Sequence, residues 1–190
     1  MTLRNIVDAR HQKNCLLVTL LVAGTSACGA TGSDAPKGPY SADIQQAKAK
    51  TTSDFQRQVL ADGKITRAEY EEAVDRYVSC MNSHGAEISK TLNSAGYYYY
   101  SQPGVASPSS WTTKCADDST GFVESLYVQM LRNPNHIDEN ELMAQCLVRS
   151  RLAPAGYTGK KYAEDQKAAF PFSADDPRFN ACLDNPSESK

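Results

Sequence analysis

Four cysteines between residues 80 and 182, with two more near the N-terminus, constrain this 190-residue chain more than any other feature. They stand at 15, 28, 80, 115, 146 and 182. Cys15 opens the apolar run CLLVTLLVAGTSA, Cys28 follows that run directly, and Arg4, Arg10 and Lys13 lie at or before its start. Basic, then apolar, then small is the order of residues in an export signal. The run has about the length of a signal core and is too short to span a bilayer comfortably. Residues 1–27 are therefore expected to be a signal peptide. Nowhere else does an apolar stretch reach about 18 residues, so no second span is expected. Export leads to an oxidising compartment, where cysteines pair.

Parity then separates the cysteines. Cys15 leaves with the signal. If Cys28 joined a disulfide, five cysteines would remain and one thiol would be odd; if Cys28 is modified otherwise, four remain and form two bridges. The residues Thr25-Ser26-Ala27-Cys28-Gly29 resemble the lipobox of bacterial lipoproteins. In that family the cysteine thiol takes a diacylglycerol, the signal is cut just before it, and the new N-terminus is acylated. Thr25 departs from the pattern, since leucine is commonest there. The same small residues also suit ordinary cleavage and secretion. The parity argument favours lipidation of Cys28 and a place on the outer face of the cytoplasmic membrane. The membrane is then a partner through the lipid, since each buried CH₂ adds about 0.8 kcal/mol and two acyl chains anchor firmly.

Residues 28–51 begin GATGSDAPKGPYSAD, rich in small residues and proline, and read as a flexible lipid-anchored tether. The folded region is expected over 52–184, with 185–190 as a tail. Within it, SDFQRQVLADG reads as a short helix capped by Ser53 and stopped at Asp62-Gly63. The clearest helix starts at a capping box, Thr66 and Glu69, carries Tyr70, Val74, Tyr77 and Met81 at helical spacing, and ends at Gly85. Cys80 falls at the edge of that stripe. The stretch EISKTLNSAGYYYYS predicts a β-hairpin turning at Asn93–Gly96, followed by a loop, QPGVASPSS.

Three further helices follow. The first carries Phe122, Leu126 and Met130 and stops at Asn133-Pro134. The second has a capping box from Asp138 to Glu141 and places Leu142 and Cys146 on one face. The last starts with Asp176 as cap and Pro177 in its first turn. A weaker helix is expected in GKKYAEDQKAAF. The fold class is thus mostly α (α+β): a small helical domain with one β-hairpin, stapled by two disulfides among Cys80, Cys115, Cys146 and Cys182. Three pairings can form. Loops of about 35 residues favour Cys80–Cys115 with Cys146–Cys182, each bridge stabilising by about 2–4 kcal/mol.

The segments DGKITRAEYEEAVDRYVSCM, YTGKKYAED and DDPRFNACL with the following Asn-Pro resemble stretches in uncharacterised exported lipoproteins of actinobacteria. The shared motifs are turns, caps and cysteines, so the resemblance implies a location and a scaffold but no activity.

Residue pattern bears on several chemistries. DGKITRAE matches an EF-hand loop at Asp62, Gly63, Ile65 and Glu69, but its first and third ligand positions fall on Gln58 and Leu60. A hard cation needs several oxygens, so a helix-turn-helix corner is the simpler expectation and a degenerate calcium-responsive module the alternative. No cofactor is expected. His84 and His136 are the histidines beyond the signal, and neither belongs to a zinc or hydrolase motif. Glu69, Glu71, Glu72 and Asp75 read as a solvated face. A carboxylate-dependent cell-envelope hydrolase remains an alternative, because such pairs need not be close in sequence. Beyond residue 27 the chain holds 17 basic and 21 acidic residues with no basic stripe, so nucleic acid is not an expected partner.

The tyrosines at 97, 98, 99 and 100 are expected to alternate between the two faces of a strand, two packed and two outward. The outward pair, with Trp111 in the next loop, is the expected contact surface for an envelope protein or glycan. The expected function is a non-enzymatic interaction module.

Overall fold

Thr66 accepts a hydrogen bond from the Glu69 amide, and the Glu69 carboxylate accepts one from the Thr66 amide at 2.8 Å. This reciprocal cap starts the longest helix among the described residues. The computed structural model describes residues 38–102 and 110–188. Among these, eight helices and one hairpin follow in the order α1 (Ser41–Lys50), α2 (Asp54–Val59), α3 (Arg67–Ser83), β1 (Ser89–Leu92), β2 (Tyr98–Ser101), α4 (Ser110–Asp118), α5 (Gly121–Arg132), α6 (Glu139–Arg149), α7 (Gly159–Asp165) and α8 (Pro177–Asp184). The strands pair antiparallel, with Leu92 opposite Tyr98 and Ser89 opposite Ser101. The architecture is therefore mostly helical with one hairpin, and the bridges are Cys80–Cys115 and Cys146–Cys182. They join α3 to α4 and α6 to α8. The signal peptide, Cys28 and residues 28–37 of the expected tether lie outside the described residues.

The fold starts earlier than expected. Residues 41–50, assigned to the tether, form α1, and Tyr40, Ile44 and Ala47 are buried in the core. The Tyr40 hydroxyl donates to the carbonyls of Gln129 at 3.0 Å and Asn133 at 2.8 Å, tying α1 to the end of α5. A second difference concerns Trp111. It lies in the first turn of α4 and not in the expected loop. That helix is built from serine, threonine and aspartate and buries Cys115 as its one fully covered residue, so its periodicity is faint.

Two main cores result. The first gathers α1, α2, α3 and α5 around Ile44, Leu60, Tyr70, Val74 and Val123. Gln56 is buried there, donating to the Asp117 carbonyl at 2.5 Å and accepting from the Phe122 amide at 2.8 Å. It thereby satisfies backbone groups at the α4–α5 corner that would otherwise be unpaired. The second core gathers α6, α7 and α8 around Leu147, Tyr162, Phe179 and the buried Cys146 and Cys182. Phe170 and Phe172 stack at 5.0 Å and close this core beside Phe179.

Asp138 caps α6 as expected, accepting from the Glu141 amide at 3.0 Å. The reciprocal half of that cap is used elsewhere. The Glu141 carboxylate accepts from the Gly159 amide at 2.9 Å and so binds the start of α7 to the start of α6. A Cβ at Gly159 would meet the Glu141 amide nitrogen at 2.5 Å and its Cα at 2.8 Å, all rigid backbone. Gly159→Ala should therefore push α7 off α6 and cost about 1–3 kcal/mol, read as a lower midpoint in urea unfolding. An unchanged midpoint would show that the close approach is dispensable.

Helices α3 and α6 end in the same way, with paired bonds from Gly85 and Ala86 to Asn82 and Met81, and from Arg151 and Leu152 to Val148 and Leu147. Gly85 holds its left-handed position, φ 80°, freely; Arg151 holds φ 55° against its Cβ. Arg151→Gly relieves that strain but loosens the unfolded chain and removes the arginine side chain. The net expectation is a thermal midpoint that does not fall, whereas Gly85→Ala should lower it by the equivalent of about 1 kcal/mol.

Candidate contact surface

The hairpin is held by a carboxylate. Glu124 on α5 sits half-buried between α3 and β2, and Tyr100 donates to both of its oxygens at 3.0 and 3.1 Å. Tyr70, fully buried on α3, donates to the same carboxylate at 3.3 Å while its oxygen accepts from the Tyr98 amide at 2.9 Å. Tyr70 also stacks on Tyr127 at 4.1 Å, and Tyr77 meets Tyr100 edge-on at 5.2 Å. Burial raises the Glu124 carboxyl above its ordinary range, and the two tyrosine hydroxyls hold it back in part. Burial likewise pushes the Tyr70 and Tyr100 hydroxyls up, with the Glu124 charge adding to the effect. Both stay protonated donors through the physiological range.

Tyr98 and Tyr100 therefore point inward, as the alternation of a strand requires. Tyr97 and Tyr99 occupy the opposite face and contact each other edge-on at 5.5 Å. Tyr99, half exposed at 50 %, donates to the Asp184 carboxylate at 2.6 Å, and Tyr97 donates to the Asp184 carbonyl at 3.4 Å. The bond to Asp184 raises the Tyr99 hydroxyl well above the usual phenol range. Arg132 from α5 completes this end of α8, donating to the carbonyls of Leu183 at 3.0 Å and Asp184 at 3.2 Å. A guanidinium beside the last carbonyls of a helix meets both unpaired acceptors and the negative end of its dipole.

Trp111 is placed apart from the tyrosines by its own contact. Its indole stacks face to face on His84 at 3.5 Å, beside the Cys80–Cys115 bridge. The four tyrosines and Trp111 thus divide three ways. Tyr98 and Tyr100 pack inward, Tyr97 packs in part on the first core while it and the exposed Tyr99 reach the end of α8, and the tryptophan covers a histidine. Arg132 and Glu124 were not singled out by sequence. Glu124 lies within an apolar helical run, and that is its one local signal; its partners come from residues 24 and 54 positions away.

The acidic groups that the sequence singled out carry structural bonds. In the EF-hand-like turn, Asp62 accepts from the Lys64 amide at 3.0 Å, Glu69 is held by Thr66, and Leu60 is buried in the core. Gly63 has φ 78°, the left-handed geometry that a tight corner demands. Glu71 and Glu72 pair with Arg67 and Arg76 one turn away, and Asp75 pairs with Lys90 of β1. His136 stacks on Tyr40 at 4.3 Å with a ring nitrogen 3.0 Å from the Pro39 carbonyl. Asp176 caps α8 and binds Arg178, which holds its carboxyl down to about 2.

Comparison with protein-family models, with curated proteins and with solved structures finds no match to the chain. Among the described residues, no helix is long and apolar enough to cross a membrane.

The position of Glu124 makes stability depend on pH in a defined direction. Its native carboxyl keeps a proton that the unfolded chain, titrating near 4.5, has already lost. Unfolding therefore releases a proton in that window, and stability falls as pH rises from 4.5 through the raised native value. Glu124→Gln should flatten this part of the profile, measured as a smaller difference between thermal midpoints at pH 4.5 and pH 7. An unaltered difference would mean that Glu124 titrates in the fold as it does in the unfolded chain.

Proposed function

We infer that this chain is an exported protein, lipidated at Cys28, whose folded region is a non-enzymatic binding module for a protein or glycan of the cell envelope. The anchor reading rests on the TSACG segment, on the basic and apolar residues before it, and on cysteine parity: the other four exported cysteines are already paired. Acylation there leaves no odd thiol in an oxidising compartment.

The observation that carries the binding reading is Tyr99, half exposed and braced by the half-buried Tyr97, with Leu183 exposed in the last turn of α8. The two tyrosine hydroxyls are fixed on Asp184, so the rings are ordered before any partner arrives. Tyrosine offers large contact area for two torsions, and ordering it in advance removes part of the entropy cost of association. The carboxylates that the sequence singled out, Glu69, Glu71, Glu72 and Asp75, hold a cap, two arginines and a lysine, which supports reading that run as a structural face.

Two measurements test this. Cells fed an alkyne fatty acid should label the wild-type protein, and Cys28→Ser should abolish the label; an unlabelled wild type, or a label that survives the substitution, would overturn the anchor. Crosslinking in intact envelopes should capture a discrete partner whose yield falls at least about fivefold for Tyr99→Ala at an unchanged thermal midpoint. Equal capture by the variant would move the interface away from the hairpin.

A further inference from the structure

At the end of α3, Cys80 and His84 stand one helical turn apart and face Cys115 of α4. One donor atom from each of the three lies within 4.8 Å of the other two. Local structure explains the convergence. Residues four apart share a helix face, His84 is the C-cap of α3, and the left-handed Gly85 turns the chain away directly after it. Trp111, four residues before Cys115 on α4, stacks on the imidazole. Stacking fixes a ring by its faces and leaves its two nitrogens, which lie in the ring plane, at the edge.

The two bridges also differ in access. Cys146 and Cys182 are both 0 % exposed, whereas Cys80 is half-buried and the neighbouring His84 is exposed. Exchange with an external thiol needs a reachable sulfur, so a reductant meets Cys80–Cys115 first.

We propose that reduction of Cys80–Cys115 opens a metal site formed by two thiolates, Cys80 and Cys115, and the imidazole of His84, which binds a zinc ion and leaves its fourth position to solvent. In the opening step the disulfide takes two electrons and two protons from a dithiol, which closes to its own disulfide. Both thiols then release their protons to solvent as the metal binds. Thiolates about 2.3 Å from a tetrahedral zinc stand about 3.8 Å apart, and the imidazole nitrogen about 2.1 Å from the ion. The sulfurs, bonded to each other while the bridge is closed, must part to reach that separation, and the His84 donor already stands within 4.8 Å of both. Two soft sulfurs and one nitrogen select zinc over calcium or magnesium. While the bridge is closed the sulfurs have no thiolate to offer, so the site is gated by redox state. This inference does not depend on the lipid anchor.

The test uses the full chain carrying Cys15→Ser and Cys28→Ser, so that the four paired cysteines are the thiols in play. Protein reduced by a phosphine, freed of it and kept under argon is titrated with Co²⁺, and untreated protein serves as the comparison. Reduced protein should bind one equivalent with thiolate-to-cobalt absorption in the near ultraviolet, displaced by zinc; oxidised protein should show none. Cys80→Ser should abolish the absorption. His84→Ala, which keeps both disulfides and whose fold is checked in the oxidised state, should weaken apparent affinity by more than about tenfold. No absorption in the reduced protein, absorption that survives Cys80→Ser, or indifference to His84→Ala would each overturn the site.

Discussion

Glu124 keeps its carboxylate half out of water because a tyrosine from α3 and another from β2 supply the donors that water would otherwise provide. An ionised carboxylate can only accept, and leaving it buried without donors is costly. Tyr70 meets this need while accepting from the Tyr98 amide, so one hydroxyl links the acid to the backbone of the strand. A two-stranded hairpin is marginal by itself. Here it is positioned by the acid beneath it, and the pleat then decides which tyrosines face out. The exposure of Tyr99 is a geometric consequence of the inward Tyr98 and Tyr100 on either side of it.

The second core is joined to the first largely through the end of α8. The Cys146–Cys182 bridge fixes α8 covalently onto α6, while Arg132, Tyr97 and Tyr99 hold its C-terminus against α5 and the hairpin. The two kinds of restraint act differently. A disulfide acts mainly by limiting the unfolded chain. The bonds to terminal carbonyls act in the folded state, where they satisfy acceptors that the helix leaves open. Arg149, donating to the Pro186 carbonyl, extends the same grip beyond the helix.

The elements with local signals were legible. Capping residues Ser53, Thr66, Asp138 and Asp176 each accept the bond that their position implies, and the turn at Asn93–Gly96 lies between the two paired strands. Loop length pointed to the observed cysteine pairing. Helix α1 was missed although Tyr40, Ile44 and Ala47 have helical spacing, because proline, glycine and serine just before them suggested a linker. Helix α4 had weak propensity and one buried residue. At the hairpin, strand alternation placed Tyr98 and Tyr100 inward and Tyr99 outward, but Tyr97, which precedes β2, is half-buried against the first core rather than outward. Alternation could not reveal Asp184 or Arg132 as supports, because those contacts span 85 and 52 positions and leave no periodic trace. The association of Trp111 with the tyrosines failed for the same reason: its partner, His84, is 27 positions away on another helix.

Tyr100 connects the two regions that sequence proximity suggested were one surface. Its hydroxyl belongs to the Glu124 cluster, while its ring packs on the small core of Met81, Ile88 and Cys115 beside the α3–α4 bridge. Val78 of α3 is shared in the same way, so the Cys80–Cys115 corner and the strand that carries Tyr99 rest on common packed side chains. The Cys146–Cys182 core meets the hairpin differently, through Asp184 at the end of α8.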